Sequence, residues 1–342
     1  MSYLDVTVII FSKGREEILK KTLEYWANQP LYVNVFHNTT QPLILPKSYT
    51  NISYTISRSS YGSRCGLAID SISTNFSILC NDDEVFLTSG LLLMVNRLKQ
   101  TPKLTSVGAQ AIAIGKYGPI ITGSRAYSGM LNYVNRNTDP VNRLYAHFDI
   151  SLAYRNGAIF RLMKSEVMIK LLKVFSELSE VSTPYIYEVT GELIVTAEGT
   201  FEYLNQIYWI RNWIIDAVSH SNWNRSLYFH DWYTNPTFES EVKKWKKIVS
   251  DNLVLTDVEL EVIFNMLLVK RTKIEKQEIV NSSKGRRKVP DKFKYWIRRI
   301  FVPKTMPMSL YHCIKDFESS GIEINSKEFY SALKYLDIPL KH

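Results

Sequence analysis

The sequence predicts an α/β fold: an open, mixed but mostly parallel sheet with helices on both faces, followed by a mainly helical C-terminal region. Over residues 4–115, short runs of apolar and β-branched residues alternate with segments that carry apolar residues at helical spacing. After the last predicted strand, helical signals dominate. A chain of 342 residues, 45% of them hydrophobic, is long enough to bury a full core. We therefore predict a first domain over residues 1–215 and a mainly helical region over residues 216–342.

Strands are predicted where β-branched and aromatic residues form short runs. They span residues 6–11, 31–36, 53–57, 76–80, 106–114 and 200–210. Helices are predicted at 15–28, 62–73, 88–100, 164–178, 185–197 and 257–270. The helix at 185 follows Ser182-Thr183-Pro184, which supplies capping residues and a proline suited to a first turn. Residues 117–161 are less regular and predict a long, partly ordered excursion over the ligand crevice.

Three adjacent acids follow the predicted buried strand at 76–80. Parallel strands place ligands at their carboxyl ends, so the segments after residues 11, 57 and 80 are expected to converge on one crevice. Asp82, Asp83 and Glu84 repel one another there unless a cation or donor hydrogens compensate. A divalent ion bound to a diphosphate is one such compensator. A solvated turn before the next helix is the alternative.

These segments resemble the GT-A-fold glycosyltransferases, in particular the family-2-like bacterial enzymes. The resemblance rests on Val8-Ile9-Ile10-Phe11-Ser12-Lys13-Gly14-Arg15 and on Leu79-Cys80-Asn81-Asp82-Asp83-Glu84-Val85-Phe86-Leu87, and it covers residues 4–115 well. It implies a nucleotide-sugar donor contacted by Phe11, Ser12, Lys13, Arg15, Asp82 and Asp83. It also implies a Mn²⁺ or Mg²⁺ ion on the donor diphosphate, with Asp83 and Glu84 as ligands. Glu84 stands where the family usually has aspartate.

Two arginines flank a glycine between the predicted strand at 53–57 and the next helix. Gly62 and its small neighbours allow close backbone approach, and a helix N-terminus attracts anions. Arg64 is suited to pair with phosphate. In the resembling family this region lines the base and ribose pocket, so Arg58 and Arg64 are donor-site candidates. A surface loop with two solvated arginines explains the same pattern.

An inverting transferase needs a carboxylate to accept the proton of the attacking hydroxyl. Glu188 and Glu192 lie one helical turn apart, so both can point from one face of their predicted helix. The family often has its base at such a helix start, and Glu188 fits that place best. Two solvated surface glutamates are the alternative. Related transferases sometimes supply an imidazole to the metal, and His220 is preferred to His230 for that role.

The net positive charge of the chain is compatible with several kinds of anionic partner. The chain has 42 Lys and Arg against 33 Asp and Glu, and its pI is near 9.2, which suits nucleic acid, an anionic membrane or an anionic substrate. Basic residues interleave with aromatic ones at 284–301, a pattern suited to an anionic membrane surface or to docking on the core. No recognised nucleic-acid module accompanies them, so a nucleic-acid partner is not expected.

Localisation is predicted from what the sequence lacks. It shows neither a signal-peptide pattern nor an apolar stretch of bilayer length, so we expect a cytoplasmic protein, with peripheral contact at the inner face of the membrane as an option. The three widely spaced cysteines are expected to remain thiols.

The sequence therefore favours a metal-dependent glycosyltransferase that moves a sugar from a nucleotide-sugar donor to a glycan or glycoconjugate acceptor. Two alternatives remain. A sugar-nucleotide nucleotidyltransferase usually has a glycine-rich basic loop after its first strand, and Phe11-Ser12-Lys13-Gly14-Arg15 is a poor version of it. A non-catalytic nucleic-acid-binding protein would explain the basic segment but not the three adjacent acids.

Overall fold

The computed structural model describes residues 4–117, 120–126, 131–149, 157–179, 181–212, 214, 227–284, 308–336 and 338. Eleven strands in this part of the chain form one mixed sheet. They are β1 (Val6–Lys13), β2 (Tyr32–Asn38), β3 (Ile52–Ile56), β4 (Phe76–Asn81), β5 (Glu84–Phe86), β6 (Leu104–Tyr117), β7 (Ile120–Ala126), β8 (Val134–Asn135), β9 (Leu162–Lys164), β10 (Thr200–Asn212) and β11 (Met308–Ser309).

The sheet has the order β11-β7-β6-β9-β4-β1-β2-β3, with β10 pairing with β5, β6 and β8. The pairs β4/β1, β1/β2, β2/β3 and β6/β10 are parallel. Parallel neighbours end at the same edge of the sheet, so the loops after β1, β2, β3 and β4 share one crevice.

Helices cover both faces of this sheet. They are α1 (Glu16–Trp26), α2 (Tyr61–Ile69), α3 (Thr88–Gln100), α4 (Pro140–Phe148), α5 (Ser165–Glu177), α6 (Tyr185–Glu198), α7 (Phe229–Thr234), α8 (Glu239–Asn252), α9 (Asp257–Lys284), α10 (Leu310–Ser319) and α11 (Ser326–Tyr335).

Alternate residues of β1 explain the two layers. Val8 and Ile10 enter a core shared with α1, α3, α10 and α11, whereas Ile9 enters a second core shared with α5, α6, α8 and α9. The predicted fold class, including the mainly helical C-terminal region, is confirmed.

The last described segment returns to the first half of the chain. Strand β11 pairs antiparallel with β7. The Glu328 carboxylate of α11 accepts hydrogen bonds from the backbone N–H groups of Thr88 and Ser89, which caps the N-terminus of α3. The C-terminal region thus supports the helix that follows the three acids.

Two features differ from the sequence-based expectation. The excursion predicted at 117–161 contains β7, β8 and α4 among its described residues. Strand β5 was not expected, because its three residues become a strand only by pairing with distant β10. As a result Glu84 lies in the sheet and is not part of a free turn.

Candidate functional site

Strand ends bring two of the three acids to the carboxyl edge of β1. The register pairs Phe11 with Asn81, so the residues that follow both strands meet. The Ser12 hydroxyl donates to Asp82 Oδ2 at 2.6 Å, and the Thr22 hydroxyl of α1 donates to the Asp82 backbone carbonyl at 2.7 Å. The turn after β4 is therefore held against the first strand and the first helix.

Arg15 compensates both aspartates. Its Nη1 lies 2.9 Å from Asp82 Oδ1 and its Nη2 lies 2.5 Å from Asp83 Oδ2. Burial raises the pKa of Asp82 to about 7, and the neighbouring Asp83 charge adds to this while Arg15 and Ser12 oppose it. One guanidinium thus supports two buried carboxylates, which is an arrangement a further cation would stabilise.

Glu84 points away from this pair. Its Oε1 accepts a hydrogen bond from Arg211 Nε at 2.7 Å, and its Oε2 accepts bonds from Trp209 Nε1 at 2.8 Å and Asn81 Nδ2 at 3.0 Å. Burial raises the pKa of Glu84, and Arg211 acts against that rise. Both carboxylate oxygens therefore accept hydrogen bonds from residues of β4 and β10. For this reason we do not include Glu84 among the metal ligands that we propose.

The side chains that could coordinate a metal ion at this site are few. Among the described residues, no group of three or more His, Cys, Asp and Glu side chains is placed to hold a metal ion. Asp82 and Asp83 remain as an adjacent carboxylate pair. Mg²⁺ commonly binds through one or two carboxylates plus substrate phosphates, so the pair fits an ion that arrives with a diphosphate.

Arg64 has a structural position. It is buried, and its Nη1 donates to the backbone carbonyls of Ser12 at 2.6 Å and Phe36 at 2.9 Å. These carbonyls lie near the carboxyl ends of β1 and β2, so the guanidinium ties the two strand ends together. Arg64 therefore stabilises the strand ends that form the crevice, and we do not propose it as a ligand of the donor phosphates.

The other predicted donor residues line the same edge. Lys13 is exposed at the end of β1, and Arg58 is exposed after β3. Phe11 is partly buried and packs on the rings of Phe36 and Tyr61, with centroids 5.6 and 5.0 Å apart. The two exposed cations are free of the core and can approach a ligand, whereas Phe11 forms part of the floor.

Glu188 and Glu192 have different environments although they share α6. The Glu188 side chain is 36% exposed, and its Oε2 lies 3.7 Å from Arg271 Nη1. Burial raises the pKa of Glu188, the charges of Arg271 and Arg211 lower it, and Glu192 raises it again. Since Arg211 also binds Glu84, Glu188 lies on the side of α6 that faces the acidic strand end.

Glu192 is an internal anchor. It is buried, and its Oε2 lies 2.8 Å from His147 Nε2. Its Oε1 accepts hydrogen bonds from the backbone N–H groups of Gly157 at 2.5 Å and Ala158 at 2.7 Å. This buried carboxylate joins α6 to the end of α4 and to the turn before β9, so we prefer Glu188 to Glu192 as the proposed base.

Sequence reasoning missed two arginines near Glu188. Arg211 follows the rule used for the other strands, because it lies near the carboxyl end of β10. Arg271 gave no such signal, since it lies on a helix 83 residues from Glu188 and is brought there only by the packing of α9. Its Nη2 also lies 3.3 Å from Glu275 Oε1, which fixes its side chain.

The predicted metal histidine falls outside the described residues, so the placement of His220 stays a prediction. His230 lies on α7, with its Nδ1 3.3 Å from Asp231 Oδ1. Its backbone N–H donates to Glu275, as does that of Phe229. His230 therefore belongs to the start of α7, and no described contact joins it to Asp82 or Asp83.

Comparison with protein-family models and with curated proteins gives no match. Solved structures of S. aureus TarS are similar in fold. TarS 1-349 aligns with a TM-score of 0.52 and 11% identity over 79% of this chain and 72% of that chain. The same fragment in complex with UDP-GlcNAc aligns with a TM-score of 0.54 and 10% identity over 79% and 73%. This chain spans 43% of the longer TarS chain.

TarS is a GT-A glycosyltransferase, so the comparison confirms the fold that the resemblance implied. At this level of identity the similarity concerns the fold.

Proposed function

We propose that this protein is a glycosyltransferase that uses a nucleotide-sugar donor. The observation that carries the proposal is the Asp82–Asp83 pair, held by Ser12 and Arg15 at the carboxyl edge of a GT-A-like sheet. A buried carboxylate pair with a raised Asp82 pKa is costly to keep, and a divalent cation bound together with the donor diphosphate would offset that cost.

The donor diphosphate is proposed to lie over the ends of β1 and β4. Lys13 and Arg58 are exposed cations at this edge, and Ser60 caps α2 there by accepting a hydrogen bond from Ser63 N–H at 3.1 Å. The fragment of TarS was solved with UDP-GlcNAc. Uridine diphosphate sugars are therefore the first donors to test.

A divalent cation is proposed as the cofactor, with Asp82 and Asp83 as its protein ligands and diphosphate oxygens completing its shell. Such an ion would supply charge neutralisation for the leaving diphosphate. Arg15 then keeps a positive charge beside the pair in the free protein, which explains why the two carboxylates persist together.

Glu188 is proposed as the general base of an inverting transfer. Its carboxylate accepts the proton of the acceptor hydroxyl while that oxygen forms a bond to the anomeric carbon. The bond from this carbon to the diphosphate breaks, and the nucleoside diphosphate leaves with the electron pair. Burial raises the pKa of Glu188, which makes its carboxylate a stronger proton acceptor, and the charges of Arg271 and Arg211 oppose that rise.

A thermal-shift experiment tests the donor site without knowledge of the acceptor. A nucleoside diphosphate should raise Tm more with Mn²⁺ or Mg²⁺ than with EDTA, because only the native site combines both. Equal stabilisation with and without metal would remove the proposed cation.

The product distinguishes the runner-up reaction. A glycosyltransferase releases a nucleoside diphosphate from its donor, whereas a sugar-nucleotide nucleotidyltransferase releases pyrophosphate from a nucleoside triphosphate. Pyrophosphate release from UTP and a sugar phosphate, with no nucleoside diphosphate formed from UDP-GlcNAc, would favour the second class.

A further inference from the structure

Helix α9 carries apolar side chains on two faces. One face is buried in the core beneath the sheet, with Leu260, Ile263, Phe264 and Leu267. The opposite face exposes Val258, Val262 and Val269 at 75%, 43% and 55%, and Val254 just before the helix is 93% exposed. We call these four residues the valine ridge. An amphipathic surface helix needs only one apolar face, so the ridge needs an explanation of its own.

Two lysines extend the helix face that carries the valine ridge. At 3.6 residues per turn, Val258, Val262, Val269, Lys273 and Lys276 lie within a stripe about 60° wide. Both lysines are exposed. The chain after α9 then carries the basic and aromatic residues of 284–301. Apolar side chains and two exposed lysines thus share one face of the helix.

Three acids flank the start of the ridge, and two of them have partners. Glu259 accepts hydrogen bonds from the Thr256 backbone N–H and hydroxyl, which caps the helix. Glu261 lies 3.0 Å from Lys246 Nζ. Asp257 is exposed in the first turn. The negative charge therefore stays at the start of the ridge, and the exposed charged residues described at its other end are Lys273 and Lys276.

From this arrangement we infer that the valine ridge is a docking surface for an anionic lipid membrane. Valines enter the boundary between headgroups and acyl chains, and the lysines beyond them contact anionic headgroups. A second copy of the chain is a weaker occupant. A stable interface needs about 800 Å² per partner, and even a whole aromatic side chain buries only about 150–250 Å², so four partly exposed valines fall short.

Nucleic acid explains less of the surface than a membrane does. Phosphate backbones bind Lys and Arg, and valines add nothing to that contact. In the described part of the chain, no helix is long and apolar enough to cross a bilayer. The contact we infer is therefore one along the membrane surface, and it does not depend on the proposed enzymatic activity.

The test is co-sedimentation of the full chain with vesicles. Wild-type protein should bind phosphatidylcholine vesicles that contain about 30% phosphatidylserine and should bind pure phosphatidylcholine weakly. Val258→Ser/Val262→Ser should weaken partition to the anionic vesicles about tenfold, the effect expected when two apolar side chains leave the interface. The exposed Leu92 and Leu93 of α3 provide a matched control, since Leu92→Ser/Leu93→Ser should leave partition unchanged.

The two exposed lysines of the ridge face supply the second arm. Lys273→Glu/Lys276→Glu should also weaken binding, and the effect of this variant should shrink at high salt whereas the effect of the valine variant should persist. Unchanged partition of Val258→Ser/Val262→Ser would overturn the inference, because the cations alone would then hold the protein. If light scattering shows a dimer for the wild type and a monomer for Val258→Ser/Val262→Ser, the ridge binds a second copy of the chain and the inference is wrong. If the same variant loses binding to a labelled DNA duplex as strongly as it loses binding to anionic vesicles, the ridge binds nucleic acid.

Discussion

Two isosteric substitutions on α6 should separate catalysis from stability. Glu188→Gln keeps the shape of the side chain but removes the group that accepts the proton. A positioned general base contributes about 10²- to 10⁴-fold, and turnover should fall by that factor. Because Glu188 is 36% exposed and its nearest cation is 3.7 Å away, Tm should change little.

Glu192→Gln should show the opposite pattern. The carboxylate receives two backbone hydrogen bonds and one from His147 in a buried site. Hydrogen bonds to a charged group are worth about 1.5–3 kcal/mol each. Glutamine can keep the two backbone bonds but turns its amide toward His147, so we expect a loss of about 2–3 kcal/mol. At about 2–4 °C per kcal/mol, Tm should fall by roughly 4–12 °C.

The two variants are compared by thermal unfolding and by release of nucleoside diphosphate from the donor. Nucleotide affinity, measured separately, should be normal in Glu188→Gln, since the proposed base acts on the acceptor hydroxyl. If Glu188→Gln keeps near-normal turnover while Glu192→Gln loses it without a fall in Tm, the base lies one helical turn further along α6. If both retain turnover, the transfer uses another base or proceeds with retention.

Two further predictions concern the sheet edge and the helix that follows it. The pKa of Asp82 is raised from 3.8 to about 7 by folding, so the protonated form is favoured in the native state and stability should decline as pH rises from about 4 to 7. The free energy of unfolding of Asp82→Asn, measured in EDTA, should therefore lack this decline. If the wild type and Asp82→Asn show parallel curves of stability against pH, the raised pKa of Asp82 is contradicted. Gly90→Ala should cost about 2 kcal/mol, because a Cβ on Gly90 would lie 3.0 Å from Tyr208 Cα. Gly66→Ala, where the nearest atom is 3.5 Å away, should be neutral or slightly stabilising.

The convergence of Ser12 with Asp82 could be predicted from sequence because it follows from local patterns. Alternating apolar runs identify parallel strands, and parallel strands end at a common edge. The end of β1 and the acids after β4 therefore had to lie close together. Their contact at 2.6 Å agrees with that expectation.

Burial of individual polar side chains could not be predicted in the same way. Helical spacing places Glu188 and Glu192 on one face but does not say how deep each lies, and the backbone donors of Gly157 and Ala158 come from a turn far away in sequence. Arg64 lies in the first turn of α2, where an anion would be expected, yet it binds carbonyls of neighbouring strands. Such partners are set by tertiary packing, which a short motif does not encode.

The most direct test of the proposed function is calorimetric titration of UDP and UDP-GlcNAc into the protein with Mn²⁺. The account predicts measurable binding to the wild-type chain and at least about tenfold weaker binding to Asp83→Asn, since loss of one ligand of a shared cation costs at least about 1.4 kcal/mol. Lys243→Met, on an exposed ion pair of α8, should bind like the wild type. Absence of binding by uridine, guanosine, cytidine and adenosine diphosphates alike, or equal affinity in Asp83→Asn, would contradict a nucleotide-sugar site at this edge of the sheet.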